Sequence, residues 1–248
     1  MKFRTLGRTG LKVSVVGLGT WQFGGEWGKV FTQAEVDAIL DKAAECGVNL
    51  VDTAECYGDH LSERLIGDYL SRRKREDWIV ATKFGHSFEG FMARPERFGA
   101  EEVRAQLIAS LRALRTDRID IYQFHSGPDE AFLDDGLKRA LEDARRSGMV
   151  RNLGVSIRGA GRELQAREAF GRGYGVRQVV YNRLDARAES EVFPYARRYG
   201  LGILARVPLA SGLLTGKYEP WDKFGPDYYR STLGAEEISR RAREAEKL

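Results

Sequence analysis

The sequence predicts an α/β fold, a (β/α)8 TIM barrel with an N-terminal β-hairpin and without its eighth βα unit. Three observations point there. Seven short apolar runs recur about 30 residues apart, the length of a βα unit. The stretches between them carry apolar residues at helical spacing, which puts helices outside a parallel sheet. No glycine-rich G-x-G-x-x-G follows the first run: Gly17–Gln22 (G-L-G-T-W-Q) has the wrong spacing for a doubly wound dinucleotide-binding sheet.

Taken in order, Phe3–Leu6 and Leu11–Val13 alternate around a glycine-bearing turn and predict the hairpin. Strands are expected at Val15–Leu18, Asn49–Val51, Trp78–Thr82, Ile119–Phe124, Asn152–Val155, Gln178–Tyr181 and Gly202–Ala205. They read as continuous apolar runs, as strands buried on both faces do. The first helix starts at a capping box, T-Q-A-E from Thr32 to Glu35. Val36, Ile39, Leu40 and Ala43 follow at helical spacing, and Gly47 ends it. Further helices are expected at Leu61–Arg72, Ala100–Leu114, Asp134–Ser147, Gly161–Phe170 and Arg187–Tyr199, with good helix formers again from Ala235 to Leu248. No Gly/Ser/Pro linker divides the chain, so residues 1–248 read as a single domain. A barrel short of one strand leaves sheet edges at its first and seventh strands.

The composition is that of an ordinary globular protein, 42% apolar and 31% charged, and 248 residues can build a core without disulfides. Cys46 and Cys56 lack metal-ligand spacing and fit a reducing compartment, so no metal site is expected. M-K-F-R-T-L-G has no apolar signal region and no apolar run reaches 18 residues, which predicts a cytoplasmic protein without a membrane partner. The net charge is a modest +4. The basic run Ser71–Arg75 closes a helix and complements its dipole. No aromatic residues interleave with it, so no nucleic-acid partner is expected. The oligomeric state is left open.

Three strands stop on ionisable residues. V-D-T-A-E-C-Y-G ends with Asp52 and Tyr57, W-I-V-A-T-K-F-G with Lys83, and I-D-I-Y-Q-F-H-S with His125. Parallel barrels place their chemistry at such strand ends. Singly, each residue has an ordinary structural role: a helix N-cap, a packed tyrosine, a surface lysine, a structural histidine. Together they form a general-acid device for reducing C=O. Tyrosine, with a pKa near 10, holds its proton at neutral pH and can give it to a developing alkoxide. A nearby Lys83 ammonium favours the phenolate and predicts a Tyr57 pKa lowered by ~2–3 units. Asp52 is the counter-ion that keeps a buried lysine charged, and His125 can hydrogen-bond the carbonyl oxygen or share the proton relay. No side chain supplies a hydride, so a nicotinamide cofactor is implied.

These motifs resemble the aldo-keto reductases over roughly residues 3 to 218, and G-R-T-G-L-K-V-S (Gly7–Ser14) is similar to their bacterial branch. The resemblance implies a tetrad of Tyr57 as proton donor, Lys83 and His125 as its modulators, and Asp52 as partner of Lys83. It implies NADPH-dependent reduction of small aldehydes or ketones to alcohols, with NADH not excluded. It places Thr20, Trp21 and Asp52 beside the nicotinamide and Ser156 and Gln178 at its carboxamide; Ile157 stands where relatives often carry asparagine. It makes Ala205–Tyr218 the pyrophosphate loop, through Arg206, Pro208, Leu209, Ser211, Gly212 and Lys217. Small residues there let backbone N–H groups approach phosphate, and Lys217 adds charge. Trp21, Trp27, Phe84, Phe88 and Phe91 are candidates for a substrate wall, His86–Gly99 for a lid, and Tyr218–Leu233 for a second mobile segment. The alternative reading is a non-catalytic nicotinamide-binding module that senses redox state or regulates a partner. The absent eighth unit favours it and the complete tetrad opposes it.

Overall fold

The computed structural model describes residues 1–157 and 163–247. The chain opens with the predicted hairpin, β1 (Phe3–Thr5) antiparallel to β2 (Lys12–Ser14). Seven parallel strands follow: β3 (Leu18–Gly19), β4 (Leu50–Asp52), β5 (Ile79–Phe84), β6 (Ile119–His125), β7 (Val150–Ser156), β8 (Tyr174–Val180) and β9 (Gly202–Arg206). Each pairs with the next in sequence, so the order is that of a barrel wall. Helices α1 (Gln33–Glu45), α2 (Leu61–Leu70), α3 (Ala100–Ala113), α4 (Asp129–Leu133), α5 (Asp135–Arg146), α6 (Glu163–Glu168), α7 (Ala188–Glu191), α8 (Phe193–Tyr199) and α9 (Ala235–Ala245) complete the described elements. None is long and apolar enough to cross a membrane.

The sheet is rolled, not flat. Gln178 on β8 hydrogen-bonds Asp52 on β4 at 2.8 Å, although four strand spacings, about 19 Å in a flat sheet, separate the two strands. The wall is that of a (β/α)8 barrel holding seven of its strands, with β3 and β9 at the edges.

Inward-facing residues follow the two-residue period of each strand. Leu50, Ala81, Ile121 and Val176 form one buried cluster with Leu6 and Val13 of the hairpin. The hairpin thus plugs the N-terminal end of the barrel. Gly7 is required there: its φ is +53°, and a Cβ would stand 2.2 Å from the Gly202 nitrogen. Two residues further along the same strands come Asp52, Lys83, Gln123 and Gln178. Gly154, paired in register with Gln123, leaves room for it, since a Cβ would come within 2.8 Å of the Gln123 Cγ. Outward residues such as Val51, Val80 and Tyr122 join the larger cluster under the helices.

The predicted capping box forms, with the Thr32 hydroxyl and the Glu35 carboxylate each holding the other's backbone N–H. Several boundaries differ from expectation. The first strand is only Leu18–Gly19, because the Asn49 side chain takes the Ser14 N–H and the Ser14 hydroxyl bonds the Val16 carbonyl, turning the chain there. Val15 and Val16 are left exposed. The helix expected at 187–199 is two, broken at Val192 ahead of Pro194, which lacks an N–H and disfavours helical backbone before it. The sixth expected strand starts at Tyr174, hidden in the sequence by Gly175 and Arg177. Residues 161 and 162 of the helix expected at 161–170 lie outside the described residues.

The basic run is spent on ion pairs: Arg72 with Asp37, Arg73 with Asp41, and Arg75 with the buried Asp120.

Candidate active site

At the C-terminal mouth of the barrel, Lys83 is almost fully buried. Its Nζ donates to Asp52 Oδ2 at 2.8 Å, to the Thr53 carbonyl at 2.6 Å and to the Tyr57 hydroxyl at 3.3 Å. The other Asp52 oxygen accepts from Gln123 Nε2 at 3.0 Å and Gln178 Nε2 at 2.8 Å. Burial works against the Lys83 charge, but Asp52 and the Tyr57 hydroxyl outweigh it and lift its pKa above the ordinary lysine value. Tyr57 departs from expectation. Burial raises its pKa, and the opposing charge of Lys83 is already matched by Asp52. The hydroxyl therefore holds its proton more firmly than a free tyrosine.

His125 ends β6 with its ring 6.2 Å from that of Tyr57, edge-on. Burial, with Lys83, His86, Arg94 and Arg206 nearby, pushes its pKa well below the ordinary histidine value, so it is neutral. Its Nδ1 lies 3.7 Å from Cys56 Sγ. Burial pushes the Cys56 thiol up to about 12, so the thiol keeps its proton. A neutral ring that accepts at Nδ1 carries its hydrogen on Nε2. In that tautomer His125 would offer an Nε2–H to a carbonyl oxygen.

Trp21 stacks on Tyr57 with centroids 6.0 Å apart, and Trp27 meets it edge-on at 5.2 Å. Phe88 and Phe91 are partly exposed on the arm after β5. Phe84 is instead wholly buried against Tyr122, Phe98 and Phe124 under the helices, because it points outward where its neighbour Lys83 points in. Residues 86–97 fold back as a tight arm, closed by Ser87 N–H to the Pro95 carbonyl at 3.0 Å and Arg97 N–H to the Gly85 carbonyl at 2.8 Å. The arm brings Arg94 to Glu26, a residue the sequence reading passed over.

Of the residues expected at the cofactor, Thr20 is buried with its hydroxyl spent on the Asp52 carbonyl and on Ser62. Ser156 Oγ donates to Gln178 Oε1 at 3.1 Å, so this pair lies beside Asp52. Arg206 ends β9 and bonds the Ile157 carbonyl at 3.2 Å. Pro208 and Leu209 are exposed on the loop beyond. Ala210, Ser211 and Gly212 have successive φ values of 49°, 60° and 92°. The turn is closed by its own backbone, with the Ala210 N–H on the Val207 carbonyl at 3.0 Å and the Gly212 N–H on the Leu209 carbonyl at 2.8 Å, so these two N–H groups do not face an anion. Lys217 is exposed, with its ammonium 5.7 Å from the Tyr218 ring.

Within Tyr218–Leu233, Arg230 is buried while Trp221 and several of its neighbours are exposed. Arg230 lies within 4.5–5.6 Å of the rings of Tyr218, Trp27, Tyr228 and Phe224, and its Nε donates to the Ser211 carbonyl at 2.6 Å. No group of three or more His, Cys, Asp or Glu among the described residues could hold a metal.

Residues 15–247 match the Aldo/keto reductase family. An uncharacterized oxidoreductase of Bacillus subtilis (strain 168), YqkF, is 34% identical over 221 residues, 88% of this chain and 68% of the relative. The NADH-specific methylglyoxal reductase of Escherichia coli (strain K12) is 33% identical, over 87% of this chain and 70% of its own length. The holo form of aldo-keto reductase AKR11C1 from Bacillus halodurans superposes with a TM-score of 0.77 at 31% identity, covering 86% of this chain and 68% of that one. On barrel, mouth and kinship together, the chain belongs to the aldo/keto reductase family of oxidoreductases.

Proposed function

We propose that the protein reduces aldehydes or ketones to alcohols with NADPH, Tyr57 giving the proton. The observation that carries this reading is the closed contact of Tyr57, Lys83 and Asp52, with the His125 ring alongside. Ser156 and Gln178 would hold the nicotinamide carboxamide, and Arg206 with the Pro208–Lys217 loop the diphosphate. The fit rests on this chain. Gln178 Oε1 keeps a second lone pair beside the Ser156 hydroxyl, and Arg206 and Lys217 flank the loop with positive charge. When bound, the cofactor supplies the hydride.

The substrate carbonyl oxygen sits between the Tyr57 hydroxyl and His125 Nε2–H. As that oxygen gains negative charge, Tyr57 transfers its proton to it. An alkoxide is far more basic than a phenolate, so the transfer is downhill even from a tyrosine whose pKa burial has raised. Lys83 then steadies the phenolate, and Asp52 keeps Lys83 charged throughout. Trp21, stacked on Tyr57, keeps water from the hydroxyl.

The partners in this reading are small molecules, and the setting is a reducing cytoplasm in which both cysteines stay free thiols. The test is oxidation of NADPH, and separately NADH, with a panel of aldehydes and ketones. Turnover with NADPH preferred supports the reading, and turnover with NADH alone corrects the cofactor. Tight cofactor binding without turnover would favour a sensing or regulatory module instead.

A further inference from the structure

We infer that Arg94 is a specificity residue that selects carbonyl substrates bearing a carboxylate a few bonds from the reacting carbon. The inference rests on the reductase reading above.

The guanidinium of Arg94 lies 5.7 Å from the centre of the Tyr57 ring and 5.2 Å from that of Trp21. It stands beside both rings, whereas Lys83 lies beneath with its three N–H groups spent on Asp52, the Thr53 carbonyl and the Tyr57 hydroxyl. Its position is built. Glu26, 3% exposed, accepts from Arg94, from Trp21 Nε1 at 2.6 Å and from the Met92 N–H at 3.1 Å. Met92 and Arg94 both belong to the arm after β5, so one buried carboxylate fixes the arm, the tryptophan and the arginine together.

Glu26 engages one nitrogen of the guanidinium, Nη2. Nε is sealed inside with no hydrogen-bond partner among the described residues, so the second η nitrogen is the donor left for a ligand. A guanidinium held in place with a donor to spare is preorganised for a carboxylate, to which it gives a charge-assisted hydrogen bond. The side chain keeps 16% of its surface exposed. A tether for the arm alone would not need a cation beside the proton donor. A glutamine or a lysine farther out would hold Glu26 as well.

The test compares 2-, 3- and 4-carboxybenzaldehyde with the corresponding methyl esters, which keep the ring and aldehyde but lack the charge; the ester's extra methyl and stronger electron withdrawal are the same for every variant and cancel when ratios are compared. The wild-type protein should favour at least one acid over its ester in kcat/KM. In Arg94→Met that acid-to-ester ratio should fall roughly tenfold or more, mainly through KM, as loss of a charge-assisted contact demands. Arg94→Lys should recover part of the ratio. Because the ratio is internal to each variant, a general loss of activity does not imitate the effect. Wild-type preference for every ester, or an unchanged ratio in Arg94→Met, overturns the inference and leaves the reductase reading standing. Absence of turnover of acids and esters alike overturns both.

Discussion

Gln178 Nε2 donates to Asp52 Oδ1 at 2.8 Å from a strand 126 residues away. With Gln123 on the same oxygen and Lys83 on the other, it holds the carboxylate at the centre of the barrel mouth. Asp52 thus joins the Ser156–Gln178 pair to the Lys83–Tyr57 pair. Gln178 answers to Ser156, and Lys83 answers to Tyr57.

Removing that charge strands a buried ammonium. Asp52→Asn should destabilise the fold by about 3–5 kcal/mol in chemical denaturation. Asp52→Asn combined with Lys83→Met should recover most of the loss and still fail to turn over substrate. A single variant within about 1 kcal/mol of wild type would mean that Lys83 does not depend on Asp52 for its charge.

Tyr57→Phe should keep its melting temperature, because the hydroxyl makes a single 3.3 Å contact, with Lys83. Turnover should fall about 10²–10⁴-fold, the usual contribution of a positioned general acid. The pH profile carries a further check. Reduction needs Tyr57 protonated, and burial raises its pKa above the ordinary tyrosine value near 10. The rate should therefore stay flat across about pH 7 to 9 and fall only above the ordinary tyrosine range. A fall setting in near neutrality would show that the acid is another group.

A Cys56 thiol donating to Nδ1 across the 3.7 Å contact would place the His125 hydrogen on Nε2. ¹⁵N spectra of the wild-type ring should show the hydrogen on Nε2. In Cys56→Ala the tautomers should mix, and kcat should drop several-fold, in line with the loss of one modest hydrogen bond. Unchanged spectra would remove Cys56 from the account.

Glu55 lies buried beneath the mouth, accepting from the His86 N–H at 2.9 Å, and its pKa is raised well above the usual carboxylate value, first by burial. The folded state therefore keeps a proton that the unfolded chain releases above about pH 4.5. Between those two pKa values, stability declines as pH rises, by up to about 1.4 kcal/mol per unit. Glu55→Gln mimics the protonated carboxyl and lacks this loss. Its melting curve should meet that of wild type near pH 4.5 and run increasingly above it toward pH 8. Parallel curves would mean that Glu55 titrates normally.

The barrel was legible because strand period and helix period alternate along the chain, and Thr32 and Gly47 punctuate the first helix openly. Asp52, Tyr57, Lys83 and His125 were legible because ionisable residues interrupt apolar runs. Gln123 was not, although it lies two residues before His125, because an uncharged amide in an aromatic strand raises no alarm. Its period-two step from Ile121 was the available signal. The Glu26–Arg94 pair was invisible for another reason. It joins two loops 68 residues apart, and nothing local in either loop announces a partner. Tyr57 was misjudged in direction, since sequence shows that a lysine is near but not how deeply both are buried.

The two-residue step between Leu50 and Asp52, Ala81 and Lys83, Ile121 and Gln123, and Val176 and Gln178 has a practical meaning. About 6.6 Å of strand separates the floor that stabilises the barrel from the mouth where its chemistry lies. Loop residues beyond the Asp52–Lys83 layer can be exchanged by mutation while those below keep the hairpin plug intact. New catalysts could be selected on this scaffold by randomising those loops and leaving their foundation alone.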